Sequence, residues 1–440
     1  MLGAMAMPVS TVARAALWTA VVAHLAVVEY LFIRYGQGKN SLLTVGKFFG
    51  LHLASIMMLQ LVLVARLPWL DRRIGMDRLT VWHRWIGFGL VWTLTLHFTF
   101  IIAGYSDLAS DSPWDTFLSL AGVTASLLGM CAAAIILVVA SISIRYVRRR
   151  LPYEAWHALH LLLYVALGIG LGHQALEGTT FDSTWATAYW WTVWALVIGA
   201  LLTGRVVVPL WRNLYHRFRV AAVIPESDNV VSVHVTGRHL DKLPARAGQF
   251  FIWRFPGHHG WWRANPFSLS AAPNGRSLRL TAKAVGKGSA GLRRVPVGSR
   301  VFAEGPYGAF TTIHQTRPAS LLIAGGVGIT PIRALLEEPG GPTTVLYRVH
   351  TAREAVLLPE LQALAHARGA QLYVLTGRTG AGTPPNVPFA PANLAAAIPD
   401  ITQRDIFVCG PRAMTDAVVH SLRALGVPRR QVHAEKFSLA

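Results

Sequence analysis

The first half of the chain is written in long apolar runs and the second half in short alternating ones. Six stretches, roughly 12–34, 43–66, 81–104, 116–143, 154–173 and 185–210, are long enough to cross a bilayer, which takes about 20 residues of helix. The first is too long, and too soon followed by the next, for a cleaved leader, so it predicts a retained span. From 216 the period shortens. Stretches 220–224, 230–236, 249–255, 278–284 and 300–304 predict the strands of a small antiparallel barrel. At 320 the pattern changes again. A buried parallel strand over 320–324 leads into the turn Gly325-Gly-Val-Gly-Ile-Thr-Pro331, and a helix over 332–338 follows. Pro331 suits its first position, where no N–H is needed. Further strands over 344–349, 371–375 and 405–408, separated by helix, predict a doubly wound α/β domain. The expected divisions are 1–215, 216–316 and 317–440.

Composition agrees with a membrane half. Hydrophobic residues make up 53% of the 440 and charged residues only 14%, where a soluble domain carries about a quarter. This excludes a disordered chain. Lys and Arg number 41 against 21 Asp and Glu, a net charge of +20. No Lys/Arg run is interleaved with stacking aromatics, so nucleic acid is not an expected partner. The arginines lie where they would orient the spans: Arg66, Arg72, Arg73 and Arg78 after the second, and Arg145, Arg148, Arg149 and Arg150 after the fourth. The opposite loops hold Asp107, Asp111, Asp115, Glu177 and Asp182, with Lys39. The expectation is a multi-pass protein of the cell membrane with both termini cytoplasmic. Trp69, Trp82 and Trp85 would mark the inner boundary, and Trp114 and Trp185 the outer one. Two cysteines, Cys131 and Cys409, exclude a disulfide framework, a four-cysteine zinc site and a cysteine-ligated iron–sulfur cluster.

Histidine supplies the candidate chemistry. His24, His52, His83, His97, His157, His160 and His173 fall in or at the edges of spans. A single intramembrane histidine is most often a satisfied interhelical hydrogen bond. Paired histidines at matching depths on the third and fifth spans are harder to explain that way. His83 and His97 are 14 residues apart, nearly four turns, so they share a face about 21 Å apart. His160 and His173 are 13 apart, about 20 Å on a parallel span. Neutral imidazole ligates iron well, and one histidine from each of two facing helices holds a haem axially. His83 with His160, and His97 with His173, would make a two-haem ladder. On an ideal helix His173 falls about 140° off the azimuth of His160. Gly168, Gly170 and Gly172 are where an irregular turn is expected, and spacing alone does not choose His160 over His157.

In the second half, Arg263-Ala-Asn-Pro-Phe-Ser-Leu-Ser270 and Val285-Gly-Lys-Gly-Ser-Ala-Gly-Leu292 stand inside the barrel pattern. The second places glycines before a short helix, whose free N–H groups favour a pyrophosphate. The Gly325–Pro331 turn, opening a helix, offers a second phosphate site. Cys409-Gly-Pro411 stands at the carboxyl end of a later strand, where such sheets take their ligand.

These motifs, with His83-Arg, Tyr153-Glu-Ala-Trp-His-Ala-Leu-His160 and the C-terminal Glu435-Lys-Phe437, give a chain that resembles the ferric reductase/NADPH oxidase superfamily. Such proteins join a six-helix ferric reductase-type membrane domain to a ferredoxin–NADP reductase-like FAD and NAD(P)H module. The resemblance implies that His83, His97, His160 and His173 ligate two b-type haems. It implies that Asn265, Pro266, Phe267 and Ser268 hold FAD, with Ser268 near flavin N5. Lys283, Gly286 and Ser289 would serve the FAD pyrophosphate. Gly325, Gly326, Gly328, Thr330 and Pro331 would take that of NAD(P)H. Cys409, Gly410 and Pro411 would lie by the nicotinamide, and Phe437 would cover the flavin ring. The first position of the family's flavin motif is usually Arg or His; here it is Asn265, with Arg263 or Lys283 available to a phosphate. Arg348, Arg353 and Arg378 follow nucleotide-domain strands and favour NADPH over NADH.

The activity so implied is a transmembrane oxidoreductase, passing electrons from cytoplasmic NAD(P)H through FAD and two haems to an acceptor outside. In the related oxidases, histidine near the outer haem is linked to oxygen reduction, and Ile101 stands four residues after His97. That favours ferric or cupric ion over dioxygen, with superoxide formation the alternative. A reading from a different class is a six-helix transporter with a regulatory nucleotide-binding domain. It accounts for the hydrophobicity and the Gly325 turn but not for the paired histidines.

Overall fold

The computed structural model describes residues 9–177, 181, 183–257, 265–285, 287–338, 340–382 and 386–437. They form two compact units, one of Thr11–Leu67 with Asp77–Gly204, the other of Pro68–Met76 with the chain from Arg205 onward.

In chain order the first helices are α1 (Val9–Tyr35), α2 (Ser41–Val64), α3 (Pro68–Ile74), α4 (Met76–Ala109), α5 (Pro113–Ala121), α6 (Thr124–Ser143), α7 (Arg145–Arg148), α8 (Tyr153–His160), α9 (Leu162–Glu177), α10 (Thr184–Leu202) and α11 (Val208–His216). Among the described residues, six helical runs are long and apolar enough to cross a membrane: Thr11–Tyr35, Ser41–Val64, Arg78–Ala109, Thr124–Ser143, Glu154–Glu177 and Thr184–His216. They match the six expected spans, with three corrections. The fourth starts at Thr124 instead of 116. Gly122 ends α5 by returning its N–H to Ser119 O at 3.0 Å, and Val123 turns extended before α6 begins. The fifth is interrupted at Leu161, where Tyr164 N–H bonds back to Leu161 O at 3.0 Å in a tighter turn. Gly168, Gly170 and Gly172, expected to host that irregularity, lie in regular α9. The sixth runs past 210, through a π-turn over Thr203–Val207, to His216.

Within this unit α1, α2 and α10 share an apolar core of Leu31, Leu51, Met58, Trp190 and Trp194. α6 packs along α9 through small residues. A Cβ on Gly170 would stand 4.0 Å from Ala132 Cβ, the close approach that drives helix association where lipid offers no hydrophobic gain.

The second unit holds β1 (Arg219–Ser227), β2 (Val230–Thr236), β3 (Phe250–Arg254), β4 (Asn265–Ser268), β5 (Ser277–Lys283) and β6 (Phe302–Tyr307), with the short α12 (Lys287–Gly291). They form two antiparallel three-stranded sheets, β1-β2-β5 and β4-β3-β6, joined by bridges Leu269–Leu280 and Arg219–Arg300. Both sheets line one core of Val233, Phe251, Trp253, Leu269 and Leu280, which is the expected barrel. β4 corrects the sequence reading. The Asn-Pro-Phe-Ser segment, not among the strands the pattern predicts, pairs with β3 from Trp253–Asn265 to Phe250–Ser268. Pro266 is exposed there, at the edge of its sheet, where a missing N–H costs nothing.

The α/β part contains β7 (Ser320–Gly325), α13 (Ile329–Glu337), β8 (Thr343–Arg348), α14 (Leu358–Arg368), β9 (Gln371–Leu375), α15 (Pro391–Ala397), β10 (Asp405–Pro411), α16 (Arg412–Ala424) and β11 (Val432–Phe437). The sheet is wholly parallel, in the order β11-β10-β7-β8-β9. β11 was absent from the sequence reading, because Val-His-Ala-Glu-Lys-Phe lacks the continuous apolar run of a buried strand. α13 starts at Ile329, so Pro331 is its third residue, not its first. It still lies in the opening turn, whose N–H groups have no helical acceptor. The short α3 belongs to this unit. The Asp71 carboxylate is 1% exposed and accepts the Gly308 N–H at 2.8 Å, while His314 Nε2 donates to Arg72 O at 3.1 Å.

Candidate functional site

The structure sorts the intramembrane histidines by what their ring nitrogens do. His24 uses both, on Tyr189 Oη at 2.9 Å and Ser55 Oγ at 3.3 Å. His52 also uses both, on Phe48 O at 2.9 Å and Glu29 at 3.0 Å. These two are satisfied interhelical groups. His97 and His173 differ. Nδ1 of His97 meets Gly46 O at 2.8 Å, and Nδ1 of His173 meets Ala125 O at 2.8 Å. A carbonyl only accepts, so each Nδ1 carries the proton and each Nε2 keeps its lone pair. An oriented imidazole with its second nitrogen tied to a carbonyl is the usual form of a metal-ligating histidine.

Each ring also lies against a glycine one turn beyond that carbonyl. A Cβ on Gly50 would come 2.9 Å from the His97 ring, and one on Gly129 3.0 Å from the His173 ring. The two histidines are within electrostatic reach of each other. The other pair also meets. His83 and His160 rings are 6.2 Å apart, centre to centre, at 72°. Two imidazoles on one metal ion, each bonded at about 2.0–2.1 Å with about 1.1 Å more to the ring centre, stand about 6.3 Å apart. His97 and His173 thus fit haem iron in donor type and tautomer, and His83 and His160 in donor type and separation. His160 is further held by Trp156, stacked at 5.0 Å, and the ring contact of His157 is with Trp156 at 6.4 Å. Gln60, buried on α2, donates to His83 O at 3.0 Å. Neither Trp156 nor Gln60 was singled out in the sequence. An aromatic three or four residues before a ligand, on the same face, was the available signal for Trp156.

In the second unit the structure brings the Gly325 turn onto Cys409-Gly-Pro411. A Cβ on Gly328 would fall 2.2 Å from Cys409 O, and one on Gly410 3.1 Å from Gly325 Cα. Only glycine allows these two segments to touch. β10 sets Cys409 beside Ala324 of β7 and Glu435 of β11. Cys409 is fully buried, and burial, with the charge of Glu435 adding to it, pushes its thiol well above the ordinary range. It is a neutral group here, not a thiolate nucleophile. Met414 covers the same place, its Sδ 2.6 Å from a Cβ on Gly325, and was missed in the sequence. Thr330 is buried, with its hydroxyl donating to Val327 O at 3.0 Å. Arg348 ends β8 level with Gly325 and gives Nη1 to Thr376 O at 2.7 Å. Arg353 is exposed in the turn Ala352–Glu354.

On the barrel, β4 displays Asn265, Pro266, Phe267 and Ser268. Asn265 donates to Trp253 O at 3.2 Å. Ser268 is 4% exposed, and its hydroxyl has no hydrogen-bond partner among the described residues. A buried hydroxyl left so is costly unless a ligand completes it. Ser289 Oγ accepts the Val285 N–H at 3.0 Å, and Lys283 is exposed at the end of β5. Arg263, Gly286 and the side chain of Phe437 lie outside the described residues, though the Phe437 backbone pairs with Pro411.

Two family models match: "ferric reductase like transmembrane component" over residues 49–171 and "oxidoreductase NAD-binding domain" over 322–420. The chain belongs to the ferric reductase/NADPH oxidase superfamily. Its reductase-type half is similar to ferredoxin–NADP reductase B of Sorangium cellulosum, 32% identical over 189 residues, which are 39% of this chain and 77% of that one. It is also 31% identical over 200 residues to the ferredoxin–NAD(+) reductase component of an alkene monooxygenase system from Xanthobacter autotrophicus. That match takes 43% of this superfamily member and 61% of the relative's length. Among solved structures, the flavohaem-like FAD/NAD-binding domain of nitric oxide dioxygenase from Vibrio cholerae is 27% identical. It covers 50% of this chain and 98% of its own at a TM-score of 0.40.

Proposed function

We propose that this superfamily member takes electrons from NAD(P)H on the cytoplasmic side of the cell membrane and delivers them to an acceptor on the other side. In this reading 1–215 is the haem domain, 216–316 the FAD domain and 317–440 the NAD(P)H domain, with both termini cytoplasmic. When bound, FAD turns a two-electron hydride donor into a source of single electrons, and haem iron passes electrons one at a time. His83 and His160 would hold the inner haem, and His97 and His173 the outer. The N–H groups at the start of α13 would receive the NAD(P)H pyrophosphate, which Gly325, Gly326 and Gly328 let approach the backbone. Thr330 and Pro331 shape that opening turn. Gly410 and Pro411 with the neutral Cys409 would wall the nicotinamide and keep water from it. Ser268 would donate to the flavin, and Phe437 would cover its ring. Lys283, Gly286 and Ser289 would serve the FAD pyrophosphate, and Arg353 a 2′-phosphate, favouring NADPH.

The observation that carries the reading is the repeated Nδ1–carbonyl bond of His97 and His173, which leaves the lone pair of each Nε2 available. The transporter reading does not account for this repeated arrangement. For the acceptor we propose ferric or cupric ion, the outer loops being acidic at Asp107, Asp111 and Asp115. The test is a reduced-minus-oxidised spectrum with haem and flavin stoichiometry on purified protein. Two b-type haems per FAD are expected; no haem bands would end the proposal. Anaerobic stopped-flow reoxidation by ferric chelate, compared with dioxygen, decides the acceptor.

A further inference from the structure

The barrel and the α/β part meet at Ser270, and the meeting is ionic. Leu269 belongs to the barrel core, while Ala272 packs on the core of the parallel sheet. Between them, the Ser270 carbonyl accepts from two buried arginines: Arg279 Nη2 of β5 at 2.8 Å and Arg333 Nη1 of α13 at 3.1 Å. Arg279 Nε also reaches Ser270 Oγ at 3.1 Å, and Thr281 donates to the same oxygen at 2.7 Å. Two guanidiniums converging on one carbonyl would repel each other. Glu360, in the first turn of α14, lies between them. It takes Arg279 Nη1 on both oxygens, at 2.9 and 3.0 Å, and Arg333 Nε at 2.8 Å. One turn after Arg333, Glu337 pairs with it at 2.7 Å and accepts the Ala272 N–H.

The same helix therefore does two things. Its first turn is the nucleotide-phosphate site of the reading above, and its later turns grip the backbone leaving β4, two residues beyond Ser268. Geometry here has a chemical consequence. Hydride transfer needs donor and acceptor atoms about 3–3.5 Å apart, and a misplacement of about 1 Å costs about 100-fold. The two groups are held by separate sheets, so their spacing depends on whatever fixes one sheet against the other.

We propose that Glu360, acting through Arg279 and Arg333, is a positioning residue for hydride transfer: it locks the α13 phosphate site at a fixed distance from Ser268. The proposal rests on the reading of the two cofactor sites above. Glu360 itself touches neither site, so its loss should spare binding and impair the transfer step.

The experiment is anaerobic stopped-flow flavin reduction by NADPH and NADH in the full-length, FAD-loaded protein, comparing wild type with Glu360→Gln and Glu360→Asp. Glu360→Gln should slow the limiting reduction rate about 10- to 100-fold. The half-saturating cofactor concentration should change less than about twofold, and FAD content and dithionite reduction should stay normal. Glu360→Asp, which keeps the charge, should recover part of the rate. Because leaving two buried arginines without their shared carboxylate can unfold a protein, an Arg279→Met/Glu360→Leu double variant refills the seam with apolar groups. It should fold, bind FAD and show the same slow reduction. Wild-type rates in Glu360→Gln, or in the folded double variant, overturn the clamp. Failure of wild type to reduce its flavin with either cofactor overturns the cofactor-site reading instead.

Discussion

The His97 imidazole donates from Nδ1 to the Gly46 carbonyl at 2.8 Å, across from α4 to α2. A backbone carbonyl in an α-helix already accepts one bond, but its second lone pair remains free. The bond therefore fixes the ring's tautomer without breaking α2. His173 repeats the arrangement on Ala125 of α6, so two different helix pairs present the same unprotonated nitrogen.

Substituting the glycine behind the ring tests this directly. In Gly50→Val a Cβ would stand 2.9 Å from the His97 ring, which must turn away and lose its bond to Gly46. The expected outcome is loss of one haem, from about two to about one per flavin, with His83 and His160 unaffected. Pyridine haemochrome and flavin assays on the purified variant measure it, and an unchanged ratio of two rejects the assignment.

Ser268 gives a prediction of opposite sign in two states. Its hydroxyl is buried without a protein partner among the described residues, which costs about 1–3 kcal/mol where no ligand completes it. Ser268→Ala should leave the FAD-free protein as stable as wild type or more so. The FAD-loaded variant should reduce its flavin about tenfold more slowly, a loss of about 1.4 kcal/mol in the transition state. Thermal melts with and without FAD, beside stopped-flow reduction, check both halves.

Gly328→Ala would drive a methyl group to 2.2 Å from Cys409 O, where neither backbone can yield cheaply. Overpacking of this kind costs about 1–3 kcal/mol. NAD(P)H-dependent flavin reduction should be abolished, while haem content and dithionite reduction of both chromophores remain. Retention of wild-type NADPH turnover would show that the two segments need not touch.

Acid should loosen the clamp at the seam. Burial alone would raise the Glu360 carboxyl, but the hydrogen bond and charge of Arg279, then those of Arg333, outweigh it and hold the group below its ordinary value. Its contribution is therefore fully present above the unfolded carboxyl pKa of about 4.3 and is lost as pH falls through the lower folded value. Wild type should melt above Glu360→Gln at neutral pH, and the two melting curves should converge in acid. A constant offset down to pH 3 rejects the ionic origin of the effect.

The six spans were legible in the sequence, because hydropathy over a bilayer's thickness is a local property of the chain. So was the doubly wound sheet, whose buried strands at 320–325 and 405–411 read as apolar runs. The interruption at Leu161 was not, since no glycine or proline marks it. Nor was β4, where proline and asparagine speak against a strand and only pairing with β3 makes one. The choice among seven histidines belonged wholly to tertiary structure. What separates His97 and His173 from His24 and His52 is which carbonyl, hydroxyl or carboxylate a neighbouring helix brings within 3 Å or so of the ring. The seam of Arg279, Arg333 and Glu360 is of the same kind. In the sequence these are three ordinary charges 27 to 81 residues apart, and only the meeting of both arginines on one carbonyl and of Glu360 with both arginines makes them depend on each other.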